Sequence, residues 1–231
     1  MPSIIYKLKA EPTMALSNMA DIGGCRAVLN SLQSVYKCKD AITTSNIKHK
    51  FVKKLYKDYI KSPKKTGYRG IHLVYNYFSD KNPKFNDYQI EIQLRTELQH
   101  AWSTTIETVD FFLNKGPDEK LKAGTGDQQW QNFFYLTSLF IADKEKTGSF
   151  SQKNLNDLKK LINKLKVKEV LRAYQLSLKN NEDRSTEHDK FTVLVLDKMA
   201  KKLWSYYYED EDKAYIKYQE EEFNRIQDNN F

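Results

Sequence analysis

The chain has 231 residues, 40% of them hydrophobic and 13% aromatic, a composition typical of a folded globular protein with one sizeable core and room for a smaller module. Its 38 Lys and Arg residues exceed its 30 Asp and Glu residues by eight, which favours anionic partners such as nucleotides, nucleic acid or phosphates. Two cysteines, Cys25 and Cys38, indicate no disulfide framework and suit a reducing cytoplasm, and no apolar run predicts a membrane span or a signal peptide.

The N-terminal third predicts a helix, a strand and a second helix. Residues 1–14 have the pattern of a short helix, and residues 31–44 that of an amphipathic one. Between them, the pair Gly23 and Gly24 opens a segment whose apolar residues alternate to Leu29, as in a buried strand. The paired glycines permit unusual backbone angles or the close approach of a ligand.

The next segments predict a sheet. Residues 53–60 suit a short strand, residues 63–68 a basic turn, and residues 69–78 and 88–96 a hairpin of two antiparallel strands. Basic runs concentrate in this part of the chain, so anion binding is expected here. We therefore expect the α+β class, with a mixed β-sheet flanked by helices.

The strand at residues 88–96 holds the main candidate site. Apolar and polar residues alternate strictly along it, so its side chains divide into an apolar face (Ile90, Ile92, Leu94) and a polar face (Gln89, Glu91, Gln93, Arg95). A carboxylate, an amide and a guanidinium in a row suit one charged ligand, although a solvated strand face has the same pattern. A helix follows at once, and its apolar stripe of Leu98, Trp102 and Ile106 is expected to cover the apolar face of the strand.

The C-terminal half predicts a mainly helical extension, and we place the domain boundary between residues 1–115 and 116–231. Residues 128–144 and a long segment from Leu155 to Tyr174 have helical patterns. Residues 191–197 and 203–208 then predict a β-hairpin, followed by a charged terminal helix. The hairpin carries no catalytic pattern, so it is expected to pack on the core or to form a contact in a homo-oligomer.

The polar residues of the N-terminal half suit a site for Mg²⁺ and a nucleotide. Isolated carboxylates amid many cations are what such a site requires, because Mg²⁺ takes a few carboxylate oxygens and leaves its other positions to water and phosphate. The cations neutralise a polyphosphate and the charge that builds during phosphoryl transfer. The candidates are Asp21, Arg26, Lys57, Lys64, Tyr68, His72, Glu91, Gln93 and Arg95.

Three ordered segments resemble the synthetase domain of the RelA/SpoT family. These are residues 58–73 (DYIKSPKKTGYRGIHL), 90–96 (IEIQLRT) and 21–26 (DIGGCR), and the resemblance covers roughly residues 1–113. It implies a nucleotidyltransferase-like fold and transfer of the β,γ-pyrophosphate of ATP to the 3′-hydroxyl of GDP or GTP, which makes (p)ppGpp. ATP, GDP or GTP and Mg²⁺ are therefore the expected ligands.

The resemblance also implies a role for each candidate. Asp21 and Glu91 would hold Mg²⁺, Glu91 would also serve as base toward the acceptor hydroxyl, and Gln93 would orient Glu91. The ATP-binding residues would be Arg26, which would stack on adenine, with Lys7 and Lys57. The acceptor-binding residues would be Lys64, Tyr68, exposed and stacking on guanine, and His72. Arg95 continues the motif or forms a structural salt bridge, and His100 and Trp102 are expected to pack and position the helix.

The chain departs from the family's pattern in two places. A basic segment that precedes the family's motif is interrupted by Met1, so cations that bind ATP are expected to be missing, and Gly70 stands where serine is common. An alarmone hydrolase is disfavoured, because His188–Asp189 in a polar linker is the only adjacent His-Asp pair. Two alternatives stay open: a toxic relative that modifies the 3′ end of tRNA, and a non-catalytic nucleotide-binding protein.

Overall fold

The computed structural model describes residues 23–113, 120–167 and 169–171. Their strands are β1 (Gly23–Leu29), β2 (Lys50–Phe51), β3 (Lys57–Asp58), β4 (Ile71–Asn76) and β5 (Gln89–Thr96). Their α-helices are α1 (Leu32–Thr44), α2 (Glu97–Leu113), α3 (Gln128–Lys144) and α4 (Gln152–Lys164). The expected α+β class with a mixed sheet flanked by helices is confirmed.

The strands form one mixed sheet in the order β1-β5-β4-β2, with β3 also paired to β4. β4 and β5 are antiparallel, which confirms the predicted hairpin, and β1 runs parallel to β5. The segment predicted as one strand at residues 53–60 is instead a short 3₁₀ turn, Lys53–Leu55, followed by the two residues of β3.

Polar side chains fix where the helices begin. Ser31 caps α1 by accepting a hydrogen bond from the backbone N–H of Ser34, and Asp127 caps α3 in the same way. Thr96 and Gln99 bond reciprocally at the start of α2, each side chain accepting from the other's backbone N–H. This capping box explains how the chain changes from strand to helix within one residue.

The apolar face of the sheet is covered by α1. Val35 of α1 is fully buried in a cluster with Leu94 of β5, and the other members are Ile60, Ile71, Leu73 and Tyr75. Ile92 packs against the same cluster. The prediction that α2 covers the apolar face of β5 is therefore wrong, because α1 already occupies that face.

Helix α2 buries its stripe on the other side, against α3. Trp102 packs edge-on against Phe134, with ring centres 5.9 Å apart, and its indole N–H donates to the Phe134 carbonyl oxygen at 2.9 Å. The Trp102 ring also lies 6.4 Å from that of Tyr68, whose hydroxyl bonds to the polar side chains of β4 and β5. Helix α2 thus lies on the polar side of the sheet and is itself packed against α3.

The glycine pair begins β1, which is more exposed than the predicted buried strand. Neither glycine has a positive φ. Gly24 lies opposite Glu91, and a Cβ atom there would come within 2.5 Å of the Glu91 carbonyl oxygen. The glycine is therefore needed for the close approach of a neighbouring backbone, whereas a Cβ on Gly23 would meet nothing within 4 Å.

The compact unit that holds the sheet continues to Leu165, and the domain boundary placed between residues 115 and 116 stays a prediction. The predicted helix at residues 1–14 and the predicted C-terminal hairpin lie outside the described residues. No helix in the described ranges combines the length and apolar character of a bilayer span.

Replacing Gly24 by alanine should destabilise the fold. The new methyl group would collide with the β5 backbone, so β1 must shift away, and we expect a loss of about 1–3 kcal/mol in the free energy of unfolding. Gly23→Ala is the matched control and should change stability by less than about 0.5 kcal/mol. Urea denaturation of both variants measures the difference in the free energy of unfolding. Equal losses would show that the close contact between Gly24 and Glu91 is not required for β1 to pair with β5.

Candidate active site

One row of polar side chains crosses the sheet. The strand register sets Lys57 of β3 opposite His72 of β4, His72 opposite Gln93 of β5, and Gln93 opposite Arg26 of β1. Residues at paired positions point to the same face. The row therefore contains a cation at each end, with an imidazole and an amide between them, and Glu91 and Arg95 flank Gln93 on the same face of β5.

Glu91 is fixed through both of its carboxylate oxygens. The Nδ1 of His72 lies 2.6 Å from Oε1, and the amide nitrogen of Gln93 donates to Oε2 at 2.6 Å. The side chains of His72 and Glu91 are each 15% exposed, so the pair remains open to a ligand on one side. The expectation that Gln93 orients Glu91 agrees with this contact, and His72 performs the same task from the neighbouring strand.

Arg95 and Tyr68 close the contacts around Glu91 into a ring. Arg95 donates from one nitrogen to the Gln93 side-chain oxygen at 2.7 Å and to the Tyr68 hydroxyl at 2.9 Å. The Tyr68 hydroxyl in turn lies 2.5 Å from Nε2 of His72. We call these five residues the polar ring: Tyr68, His72, Glu91, Gln93 and Arg95. Arg95 thus bonds to an amide and a phenol, and among the described residues it forms no salt bridge.

The polar ring has a consistent direction of hydrogen bonding. A carboxylate only accepts, so Nδ1 of His72 donates to Glu91. In a neutral imidazole, Nε2 then accepts the proton of the Tyr68 hydroxyl, whose oxygen accepts from Arg95. Burial raises the pKa of Tyr68 despite the opposing charge of Arg95, which keeps the phenol protonated and able to donate.

Tyr68 is buried, at 5% exposure, which corrects the expectation of an exposed aromatic at the tip of the basic turn. Its ring meets His72 and Tyr59 edge-on, at centroid distances of 5.5 and 5.6 Å. Helix α2 contributes to this burial through Trp102. A base can stack on Tyr68 only if the ring turns out of this packing.

Tyr59 is a residue of this site that the sequence did not single out. It is partly exposed, its ring lies edge-on to His72 at 5.2 Å, and the ammonium of Lys64 lies 4.8 Å from its ring centre. The same ammonium lies 5.3 Å from the Tyr68 ring, so Lys64 is held beside the polar ring by two aromatic faces. Tyr59 lies within the segment at residues 58–73 that resembles the family, but no pattern in the sequence distinguished it from its neighbours.

Gly70 makes room for the polar ring. Its φ of +154° is a conformation that other residues rarely adopt, and a Cβ there would lie 3.2 Å from the Tyr68 hydroxyl and 3.3 Å from Cγ of Arg95. The glycine that stands where the family commonly has serine is therefore matched to the contact between Tyr68 and Arg95.

The cationic end of the row at Arg26 interacts with the ring. Its Nε donates to the Gln93 side-chain oxygen at 3.3 Å, so two guanidinium groups share one amide oxygen. Partial burial lowers the pKa of Arg26, and the positive charge of Arg95 lowers it further. An anion bound near Arg26 would relieve this repulsion.

Two expected site residues, Asp21 and Lys7, lie outside the described residues. In the described part, no group of three or more His, Cys, Asp and Glu side chains gathers to hold a metal by itself. The donor set still fits Mg²⁺, which usually takes one or two carboxylates together with substrate phosphates. Glu91 supplies a fixed carboxylate, and the cations beside it suit a polyphosphate.

Residues 1–110 match the model of the region found in RelA and SpoT proteins. The N-terminal part of the chain is thus similar to a RelA/SpoT-family domain. The curated relatives it matches include two GTP pyrophosphokinases of Bacillus subtilis (strain 168). YwaC is 27% identical over 101 residues, covering 44% of this chain and 47% of YwaC, and YjbM is 26% identical over 114 residues, covering 49% of this chain and 53% of YjbM. The chain thus spans about half the length of these relatives.

Solved structures extend the likeness of the RelA/SpoT domain to its fold. Small alarmone synthetase 2 of Bacillus subtilis superposes with a TM-score of 0.51 at 21% identity, covering 62% of this chain and 71% of that one. Small alarmone synthetase 1 of the same organism, bound to its product pppGpp, gives a TM-score of 0.50 at 21% identity, covering 62% and 68%. At this identity the likeness shows that the chain shares the fold of these two structures.

Removing the Tyr68 hydroxyl should weaken the whole ring. Tyr68→Phe keeps the buried aromatic ring but takes one partner from His72 and one from Arg95, so we expect a loss of about 1–3 kcal/mol in the free energy of unfolding. Tyr88→Phe is the control, since Tyr88 is 51% exposed. Chemical denaturation measures both, and a Tyr68 variant as stable as the Tyr88 variant would contradict the assigned hydrogen bonds.

Proposed function

We propose that this protein is a pyrophosphokinase that transfers the β,γ-pyrophosphate of ATP to the 3′-hydroxyl of GDP or GTP. The observation that carries the proposal is Glu91, a carboxylate fixed at both oxygens by His72 and Gln93, beside a row of side chains with a cation at each end. A fixed carboxylate beside a polyphosphate site is the arrangement that this transfer needs.

The comparisons support this reaction class. The two Bacillus relatives are named GTP pyrophosphokinases, and one structure of the same fold holds pppGpp as its product. The match to the RelA/SpoT region, at residues 1–110, includes every described residue of the site. The guanine nucleotide of those proteins is therefore the first acceptor to test here.

Glu91 would act as the base toward the acceptor. The 3′-hydroxyl oxygen forms a bond to the β-phosphorus of ATP as the bond from that phosphorus to the α–β bridging oxygen breaks, and AMP leaves with that oxygen. The hydroxyl proton passes to the Glu91 carboxylate. His72 and Gln93 stabilise the carboxylate before the transfer and keep it aimed, so little reorganisation accompanies the reaction.

Mg²⁺ would be held by Glu91, together with Asp21 as the family resemblance implies, and when bound it would neutralise charge on the phosphates. Charge that builds on the transferred group is also balanced by the protein's own cations. Arg26 and Lys57 are exposed at the two ends of the row, where they would contact ATP. Arg26 shares the Gln93 side-chain oxygen with Arg95, so an anion bound there would meet two guanidinium groups.

The acceptor would bind near Lys64 and His72. The Lys64 ammonium beside Tyr59 and Tyr68 would meet its phosphates, and His72 would bridge the acceptor and Glu91. With Tyr68 buried, stacking on guanine would require the Tyr68 side chain to turn out of its packing while the backbone of the basic turn stays in place. Binding of the acceptor would then be coupled to a local rearrangement.

Incubation with γ-labelled ATP and Mg²⁺ tests the reaction and names the acceptor. Parallel reactions with GDP, GTP and tRNA should yield labelled guanosine tetra- or pentaphosphate and no labelled tRNA. Label on tRNA would replace the proposal with modification of a tRNA 3′ end. If the folded protein binds ATP but makes no product, the result would support a non-catalytic nucleotide-binding protein instead.

Glu91→Gln should remove the base while preserving the shape of the side chain. We expect the rate constant for transfer to fall by roughly 10²–10⁴-fold, the usual contribution of a general base. Glu97→Gln, at the exposed start of α2, is the matched control and should keep full activity. Circular dichroism checks the fold of both, and near-normal transfer by a folded Glu91 variant would reject the assignment.

A further inference from the structure

The basic turn at residues 63–68, here called the acceptor loop, is anchored by helix α3. The Ser138 hydroxyl donates to the carbonyl oxygen of Gly67 at 2.5 Å, and Ser138 is 3% exposed. This contact joins positions 71 residues apart in the chain. Ser138 also lies outside the region at residues 1–110 that matches the family.

The anchoring contact is as close as a backbone allows. Gly67 has φ +93°, and a Cβ atom there would lie 2.9 Å from Cβ of Ser138 and 3.4 Å from Cα of Tyr135. The loop therefore lies directly on the α3 surface, with no room for a side chain at Gly67. A second loop residue, Thr66, faces Gly124 just before α3, where an added Cβ would lie 3.2 Å from its methyl group.

Arg69 extends the anchor to both ends of the loop. Its Nε donates to the Ser138 hydroxyl oxygen at 3.3 Å and its NH1 to the carbonyl oxygen of Ile60 at 3.1 Å. Arg69 is 7% exposed, so its charge depends on these polar partners. Ser138 is thus both a donor to the loop and an acceptor for the guanidinium that spans it.

The anchor fixes where Lys64 points. Within the loop, the Gly67 amide donates to the Lys64 carbonyl oxygen at 2.8 Å, and the Lys64 amide donates to that of Tyr68 at 3.2 Å. Gly67, held by Ser138, therefore holds the backbone of Lys64. That backbone places the Lys64 ammonium over the rings of Tyr59 and Tyr68, beside the polar ring.

We propose that Ser138 is a positioning residue that sets acceptor affinity, because its hydroxyl locks the acceptor loop in the conformation that presents Lys64 to the acceptor's phosphates. This inference rests on the proposed pyrophosphokinase function. Helix α3 supplies no residue to the polar ring. Through Ser138 it would nevertheless control the affinity for the acceptor, and not the affinity for ATP. Arg26 and Lys57 are the residues proposed to contact ATP. In the described structure neither bonds to Ser138 or Gly67, so ATP binding is expected to be independent of the anchor.

Ser138→Ala tests the proposal through three measurements on the full chain. Hydrogen exchange followed by mass spectrometry should show the amides of residues 64–68 exchanging about five- to thirty-fold faster, as expected for one lost hydrogen bond to a buried partner. Calorimetric titration with GDP should show affinity weakened by a similar factor, roughly five- to thirty-fold. In the transfer assay the KM for the acceptor should rise, while the KM for ATP and kcat stay unchanged.

Ser103→Ala is the matched control. Ser103 is also a buried helical serine, at 1% exposure, but its hydroxyl has no hydrogen-bond partner in the described structure. It should leave loop exchange, GDP affinity and the acceptor KM at wild-type values. Thermal unfolding of both variants separates a local effect from global loss of stability.

The outcomes distinguish this inference from the proposed function. A Ser138 variant that exchanges and binds GDP like the wild type overturns the anchor, and faster exchange with unchanged GDP affinity overturns its role in positioning. Equal rises in the KM for ATP and for the acceptor also overturn it. If the wild type neither binds guanine nucleotides nor makes product, the proposed function fails, and with it the role of the anchor.

Discussion

The site depends on one buried positive charge. Arg95 is 2% exposed, and a guanidinium removed from water costs several kcal/mol unless polar groups surround it. The ring of Tyr68, His72, Glu91 and Gln93 supplies two acceptors to one terminal nitrogen of Arg95, while its buried Nε has no hydrogen-bond partner among the described residues. The compensating carboxylate is reached through an amide on one side and a phenol and an imidazole on the other. The fixed geometry of Glu91 is thus a consequence of the need to solvate Arg95. The same need explains why Tyr68 is turned inward and why Gly70 lacks a side chain.

Much of this arrangement could be predicted from the alternation along β5. A period of two residues divides side chains between two faces without reference to the rest of the fold, so Glu91, Gln93 and Arg95 were placed together correctly. The helices α1 and α3 were also predicted closely, because their apolar stripes and capping residues are local signals. What periodicity does not specify is the element that covers a face. The choice of α1 over α2 for the apolar side is decided by packing between segments distant in sequence.

The burial of Tyr68 and the anchor at Ser138 were beyond sequence reasoning for the same physical reason. A tyrosine after a glycine turn suits a surface as well as a core, and its place depends on Trp102 and α3, which come 34 and more residues later in the chain. Ser138 sits in a helix rich in aromatic residues, where a serine has no distinguishing pattern. The paired glycines gave a genuine signal of close approach, but the approaching group is the backbone of Glu91, and no ligand is needed to explain Gly24.

The row from Lys57 to Arg26 has a consequence for how its two ends behave. It crosses four strands, and neighbouring strands lie about 4.8 Å apart, so the backbones of its end residues are separated by roughly 14 Å. Groups that far apart usually contribute independently to the free energy of unfolding. Lys57 lies next to His72, and Arg26 lies next to Gln93. We therefore expect the changes in the free energy of unfolding caused by replacing the two cations to be additive. The sheet thus spreads its positive charge over a span within which several phosphate groups fit side by side.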